Sequence, residues 1–124
     1  MQNSDVFDRE ITDGLSSLTF GKVSNVSSPV VIAGGNCSIV GLDLTGEEQF
    51  WTVTGDNVTS MDFVDWDEDQ VHELIAGSED FAIRVFKGEE LIFDIKEAAR
   101  VMNLKRIKRN IFGYSLSNGT FGVY

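Results

Sequence analysis

Residues 13–35, DGLSSLTFGKVSNVSSPVVIAGG, lie over residues 56–78, DNVTSMDFVDWDEDQVHELIAGS, without a gap when the chain is shifted on itself by 43 residues. Asp13 meets Asp56, Ser17 meets Ser60 and Phe20 meets Phe63, while Ile32, Ala33 and Gly34 meet Ile75, Ala76 and Gly77. Leu15 with Val58, Leu18 with Met61 and Val31 with Leu74 fill the spaces conservatively. A period of this size is that of one four-stranded propeller blade. Helical repeats of similar length need long stretches with apolar residues three to four apart, and the short apolar runs here, rich in Val, Ile and Phe, do not supply them. The fold class expected is all-β, a partial β-propeller of antiparallel four-stranded blades.

Working outward, the second unit reads as strands near 58–64, 73–78, 82–86 and 91–95, and the first as 15–21, 30–35, 39–44 and 50–54. VFDREI at 6–11 reads as the last strand of a preceding blade. FGYSLSNGTFGVY at 112–124 opens a further one, with Asn118 and Gly119 at the positive φ angles of a type I′ turn. Blade units of 15–54 and 58–95 follow, with partial blades at 1–14 and 99–124. Residues 95–109, IKEAARVMNLKRIKR, contain good helix formers and an Asp94–Glu97 capping pattern. The repeat overrides that propensity, because Met102 and Leu104 follow Met61 and Phe63 by 41 residues, where the next innermost strand is due.

Composition narrows the function. With 42% hydrophobic residues the chain should fold, and its net charge of −10 repels a phosphate backbone, so no nucleic-acid role is expected. All twenty acidic residues lie at or before Glu97, whereas Arg100, Lys105, Arg106, Lys108 and Arg109 supply half of the basic ones. That cluster reads as a solvated loop before a partner-binding patch. A single cysteine, Cys37, excludes an internal disulfide, and no N-terminal apolar stretch reads as a signal or span, so an intracellular soluble protein is expected. Glycosylation sequons at Asn25, Asn36, Asn57 and Asn118 fit turn chemistry better than sugar, since Asn, Ser and Thr gather where side chains bond nearby backbone.

The acidic stretch DWDEDQVHE, residues 65–73, sets Asp65, Asp67, Asp69, the Val71 carbonyl and Glu73 on the first, third, fifth, seventh and ninth positions of a calcium loop. Such loops carry glycine where the chain turns sharply, and here Glu68 and Gln70 hold the even positions. The copy in the first unit, KVSNVSSPV at 22–30, puts Lys22, Ser24, Val26, Ser28 and Val30 on the ligand positions, so a connection of this length closes without metal. The acidic stretch reads first as a structural turn and second as a calcium site with Asp65, Asp67, Asp69 and Glu73 as ligands. No other cofactor is expected. His72, next to a strand, reads as a half-exposed turn residue, Cys37 as an ordinary thiol, and Trp51 and Trp66 as rings buried between sheets.

GGNC at 34–37, FWTVTGDNV at 50–58, GSEDFAIRVF at 77–86 and LSNGTFGVY at 116–124 together resemble the amino-terminal β-propeller of the Bardet-Biedl syndrome 2 family of BBSome subunits. The resemblance runs over nearly the whole chain and covers the middle of that propeller, so Met1 is expected to begin an excised piece. It implies a non-enzymatic scaffold in a coat-like adaptor that carries membrane proteins into and out of cilia. Implied partners are other BBSome subunits and, indirectly, ciliary membrane-protein cargo and a small Arf-like GTPase. The implied location is the cytoplasm, the ciliary membrane and the basal body. Family members tend to have glycine where this chain has Glu68 and Gln70, which weakens a calcium role. The alternative is a calcium-binding extracellular propeller of the integrin α-chain kind. Lacking blades on either side, the isolated chain is expected to self-associate.

Overall fold

The computed structural model describes residues 14–23 and 29–124. The strand expected at 6–11 and positions 24–28 of the first-unit loop, including the Asn25 sequon, lie outside them. Every regular element among the described residues is a strand. The first sheet is β1 (Leu15–Gly21), β2 (Val30–Gly35), β3 (Ser38–Leu42) and β4 (Glu48–Val53); the second is β5 (Val58–Val64), β6 (Glu73–Ser78), β7 (Ala82–Lys87) and β8 (Glu90–Lys96). Each is an antiparallel meander in chain order, and β9 (Val101–Lys108), β10 (Ile111–Leu116) and β11 (Phe121–Val123) make a third of the same kind. These sheets are blades of a partial β-propeller. The segment with helix-forming residues is strand β9, because Val101 and Leu104 are needed in the core.

The sheets stack through their first strands: β1 packs on β5, and β5 on β9. β6 is buried along its whole length, sending Leu74 and Ala76 into the cluster shared with the first sheet and Ile75 into the one shared with the third. A strand covered on both faces reads as a continuous apolar run, which is why LIAG shows no polar alternation.

The repeat extends to irregularities. Pairing slips by one residue at Ser16 between β1 and β2, at Thr59 between β5 and β6, and at Met102 between β9 and β10. A bulge re-aims the extra side chain. Here it turns the Ser16 hydroxyl to donate to the Val58 carbonyl of the next sheet, and the Thr59 hydroxyl to donate to the Val101 carbonyl at 2.5 Å. Beside each bond sits a glycine. A Cβ on Gly34 would lie 2.9 Å from Val58 Cβ and 3.1 Å from Met61 Cε; one on Gly77 would lie 2.9 Å from Val101 Cβ and 3.4 Å from Leu104 Cδ1.

Two expectations are corrected. Asn118 does not take positive φ; Gly119 alone does, at +90°, with its N–H on the Leu116 carbonyl and the Thr120 N–H on Asn118 Oδ1. This is a type I turn closed by a glycine bulge, not type I′. Trp51 is 50% exposed rather than core, because on β4 the alternating neighbours Phe50 and Thr52 point inward and leave Trp51 and Val53 on the other face. Trp66 is half-buried against Phe93 and Phe112, at ring separations of 5.1 and 5.8 Å.

Gly77→Ala should destabilise the chain by about 1–3 kcal/mol, the usual cost of overpacking. In a Val101→Ala background the same change should cost much less, since the two sites share one contact. Denaturant titration of the four variants measures this, and equal costs in both backgrounds would place the constraint elsewhere.

Candidate cation site in the acidic loop

The connection from β5 to β6 carries the four carboxylates singled out in the sequence, and the structure brings all four together. One carboxylate oxygen from each of Asp65, Asp67, Asp69 and Glu73 lies within 4.8 Å of all the others. Asp65 and Glu73 are fully buried at the two strand ends, while Asp67 and Asp69 stand at the surface.

Asp65 organises the turn. Its Oδ1 accepts the Asp69 N–H at 3.1 Å and its Oδ2 the Gln70 N–H at 2.9 Å, which closes the chain into a tight loop. Glu68 and Gln70 take φ of +59° and +70°. The backbone therefore makes its left-handed turns at the even positions without glycine, at a cost on the order of 1–3 kcal/mol each. Glu73 reaches back from the start of β6, and its Oε1 accepts the Trp66 N–H at 2.8 Å and, more weakly, the Asp67 N–H at 3.4 Å. Its other oxygen, Oε2, is buried with no donor.

The charges are arranged unevenly. Lys87, projecting from the end of β7, places its Nζ 2.6 Å from Asp69 Oδ2 and 3.0 Å from Asp67 Oδ2. That bond holds the Asp69 carboxyl down to about 2 and raises the lysine above its ordinary value. Glu73 moves the other way. Burial, which outweighs its two backbone donors and is reinforced by the charges of Asp67 and Asp69, pushes it up to about 7.

The loop also grips the third sheet. The Asp65 N–H donates to the Arg109 carbonyl at 2.7 Å, Arg109 Nε lies 3.6 Å from Asp65 Oδ2, and Asn110 Nδ2 donates to Glu68 Oε1 at 2.7 Å. The basic stretch is thus a strand and a turn rather than a solvated loop, because Val101 and Leu104 anchor it in the core. Two of its charges point back to acids, Arg109 to Asp65 and Arg100 to Glu79 at 3.4 Å, while Lys105, Arg106 and Lys108 are exposed.

Sequence reading missed Lys87, Arg109 and Asn110 as parts of this site. Each lies 14 or more residues from Glu73, and only the three-dimensional register of the sheets brings them near. His72 is half-buried beside the loop, lining an open cleft with Lys22, Val23, Gln70 and Val71. Cys37 is exposed at φ +65° in the β2–β3 turn. Asn36, Asn57 and Asn118 all sit in connections between strands, and Asn57 Nδ2 donates to Glu79 Oε2 at 2.8 Å.

A family described as ciliary BBSome complex subunit 2, middle region, matches residues 60–124. The chain is similar to BBSome complex member BBS2 of Danio rerio and of Homo sapiens, each 48% identical over 122 residues. It is 42% identical over the same length to BBSome complex member bbs-2 of Caenorhabditis elegans. These matches take in 98% of this chain and 17% of each relative. Among solved structures, Chaetomium thermophilum Polycomb Repressive Complex 2 bound to GSK126 gives a TM-score of 0.71 at 12% identity, covering 95% of this chain and 30% of that one. The computationally designed Ika4 protein gives 0.50 at 18% identity, covering 100% and 98%. At such identities the likeness is one of fold alone.

Gln70→Gly should stabilise the chain by about 1 kcal/mol, because it removes a side chain from a left-handed position and leaves the bond from the residue 70 N–H to Asp65 in place. Thermal denaturation in EDTA measures it, and a loss of stability would mean that the Gln70 side chain contributes more than its backbone strain costs.

Proposed function

Because this chain belongs to the family of ciliary BBSome complex subunit 2, we propose that it is a non-enzymatic scaffold segment of that subunit's β-propeller. The observation that carries the reading is identity of 48% sustained over 98% of the chain. The blade units of this reading are 15–54 and 58–95, followed by a partial blade at 99–124. The subunit's partners are other BBSome subunits, its cargo is ciliary membrane protein, and recruitment runs through a small Arf-like GTPase. The location is cilium-associated, at the cytoplasmic side of the ciliary membrane and at the basal body. Relatives that are all BBSome members weigh against the integrin-type extracellular propeller.

The chemistry supports a scaffold over a catalyst. A catalyst needs a placed nucleophile or acid–base pair in a cleft. Several buried and half-buried polar groups among the described residues serve connections between strands instead: Ser78 and Asp80 hold Arg84, and Asp65 closes its loop.

Full-length protein with a tag, purified from ciliated cells, should bring down the other BBSome subunits, and deletion of residues 14–124 should abolish that recovery and misplace ciliary membrane receptors. Assembly and sorting that survive the deletion would sink the scaffold reading.

The isolated chain has a second expected behaviour. Leu15, Leu18 and Phe20 on β1, and Ile107, Phe121 and Val123 on the third sheet, are exposed. Apolar sheet faces of this kind pair with others when uncovered. Light scattering at tens of micromolar should give dimers or larger species, and a monodisperse monomer is the contrary result.

A further inference from the structure

We propose that Asp65, Asp67, Asp69 and Glu73, with the Val71 carbonyl between them, hold a calcium ion that fastens the second sheet to the β9–β10 turn of the third. The spacing of one, three, five, seven and nine is that of a calcium loop, and the chain folds so that the four side chains meet. The independent observation is Glu73 Oε2. A buried carboxylate oxygen with no donor, in a residue with no exposed surface, is a costly arrangement that a cation relieves directly.

Size selects the ion. Two oxygens on opposite sides of a calcium ion, each at about 2.3–2.6 Å, stand roughly 4.6–5.2 Å apart, whereas magnesium at about 2.0–2.1 Å draws them to roughly 4.0–4.2 Å. The four oxygens here lie within 4.8 Å of one another, a spread that suits calcium better than magnesium. Lys87 is the competitor. Its ammonium bridges Asp67 and Asp69 from the solvent side and must swing away as the ion enters. Asp65 and Glu68 already touch Arg109 and Asn110, so an ion that stiffens the loop stiffens this joint as well. The proposal stands independently of the scaffold reading.

The test uses the chain stripped with EDTA and then titrated with calcium, magnesium or terbium. The expected results are a rise of several degrees in thermal midpoint at millimolar calcium, a smaller one with magnesium, and terbium emission sensitised by the neighbouring Trp66. Asp67→Asn, at a surface position, should fold and lose both signals, Trp66→Phe should lose the emission and keep the calcium shift, and Lys87→Met should bind calcium several-fold more tightly. If neither wild type nor Lys87→Met responds to calcium or terbium, Lys87 is the only cation the loop takes and the proposal is wrong. A response that survives Asp67→Asn places the ion elsewhere and overturns it too.

Discussion

The fold depends on how closely the first strand of one sheet approaches the second strand of the sheet before it. Val58 sits on Gly34 and Val101 on Gly77, with no room for a Cβ at either glycine. The approach brings a hydroxyl at each bulge within reach of the neighbouring carbonyl and gives that backbone acceptor a partner across the seam. Steric fit and hydrogen bond are one device, used twice at the same interval. The core clusters on either side of β6 form because this joint sets the separation at which their side chains interdigitate.

The acidic loop is a second joint of a different kind. Where the first combines apolar contact with a neutral hydroxyl bond, this one is made of charges, and it connects the second and third sheets near the opposite end of the strands. Asp65 is buried because it caps its own loop and meets Arg109; Glu73 is buried because β6 is buried, and its carboxylate goes where the strand takes it. The first sheet's counterpart begins its second strand with Val30, an apolar residue at the position of Glu73. The two units share a backbone plan and differ in what they place at this corner.

Much of this was legible in the sequence because it repeats. The 43-residue offset located the strands of the first two sheets and paired Gly34 with Gly77. An offset of 41 residues for the third sheet overruled the helical propensity of 95–109 but set Met102 inward, whereas the bulges at Thr59 and Met102 keep the interval at 43 and leave Met102 exposed. The four carboxylates were legible because they all lie within nine residues of chain. What escaped was non-local or rested on a single angle. Nothing near Lys87 or Arg109 in the chain says that an acidic loop will face it, since sheet stacking decides that. Trp51 was misplaced because a large ring suggests core, whereas the inward side of β4 was already taken by Phe50 and Thr52. The hairpin before β11 was misjudged because Asn–Gly serves two turn types, and only the φ of Asn118 separates them.

The third bulge carries Met102, where the other two carry Ser16 and Thr59. A methionine has no proton to give, and this one is 43% exposed. A strand laid against the third sheet as β5 is laid against the first would find no donor at that point for its carbonyl. The units are therefore not interchangeable parts: a tandem array built by copying residues 99–124 would lack at every seam the bond that copies of the first two units would carry, so their order along the chain is itself information.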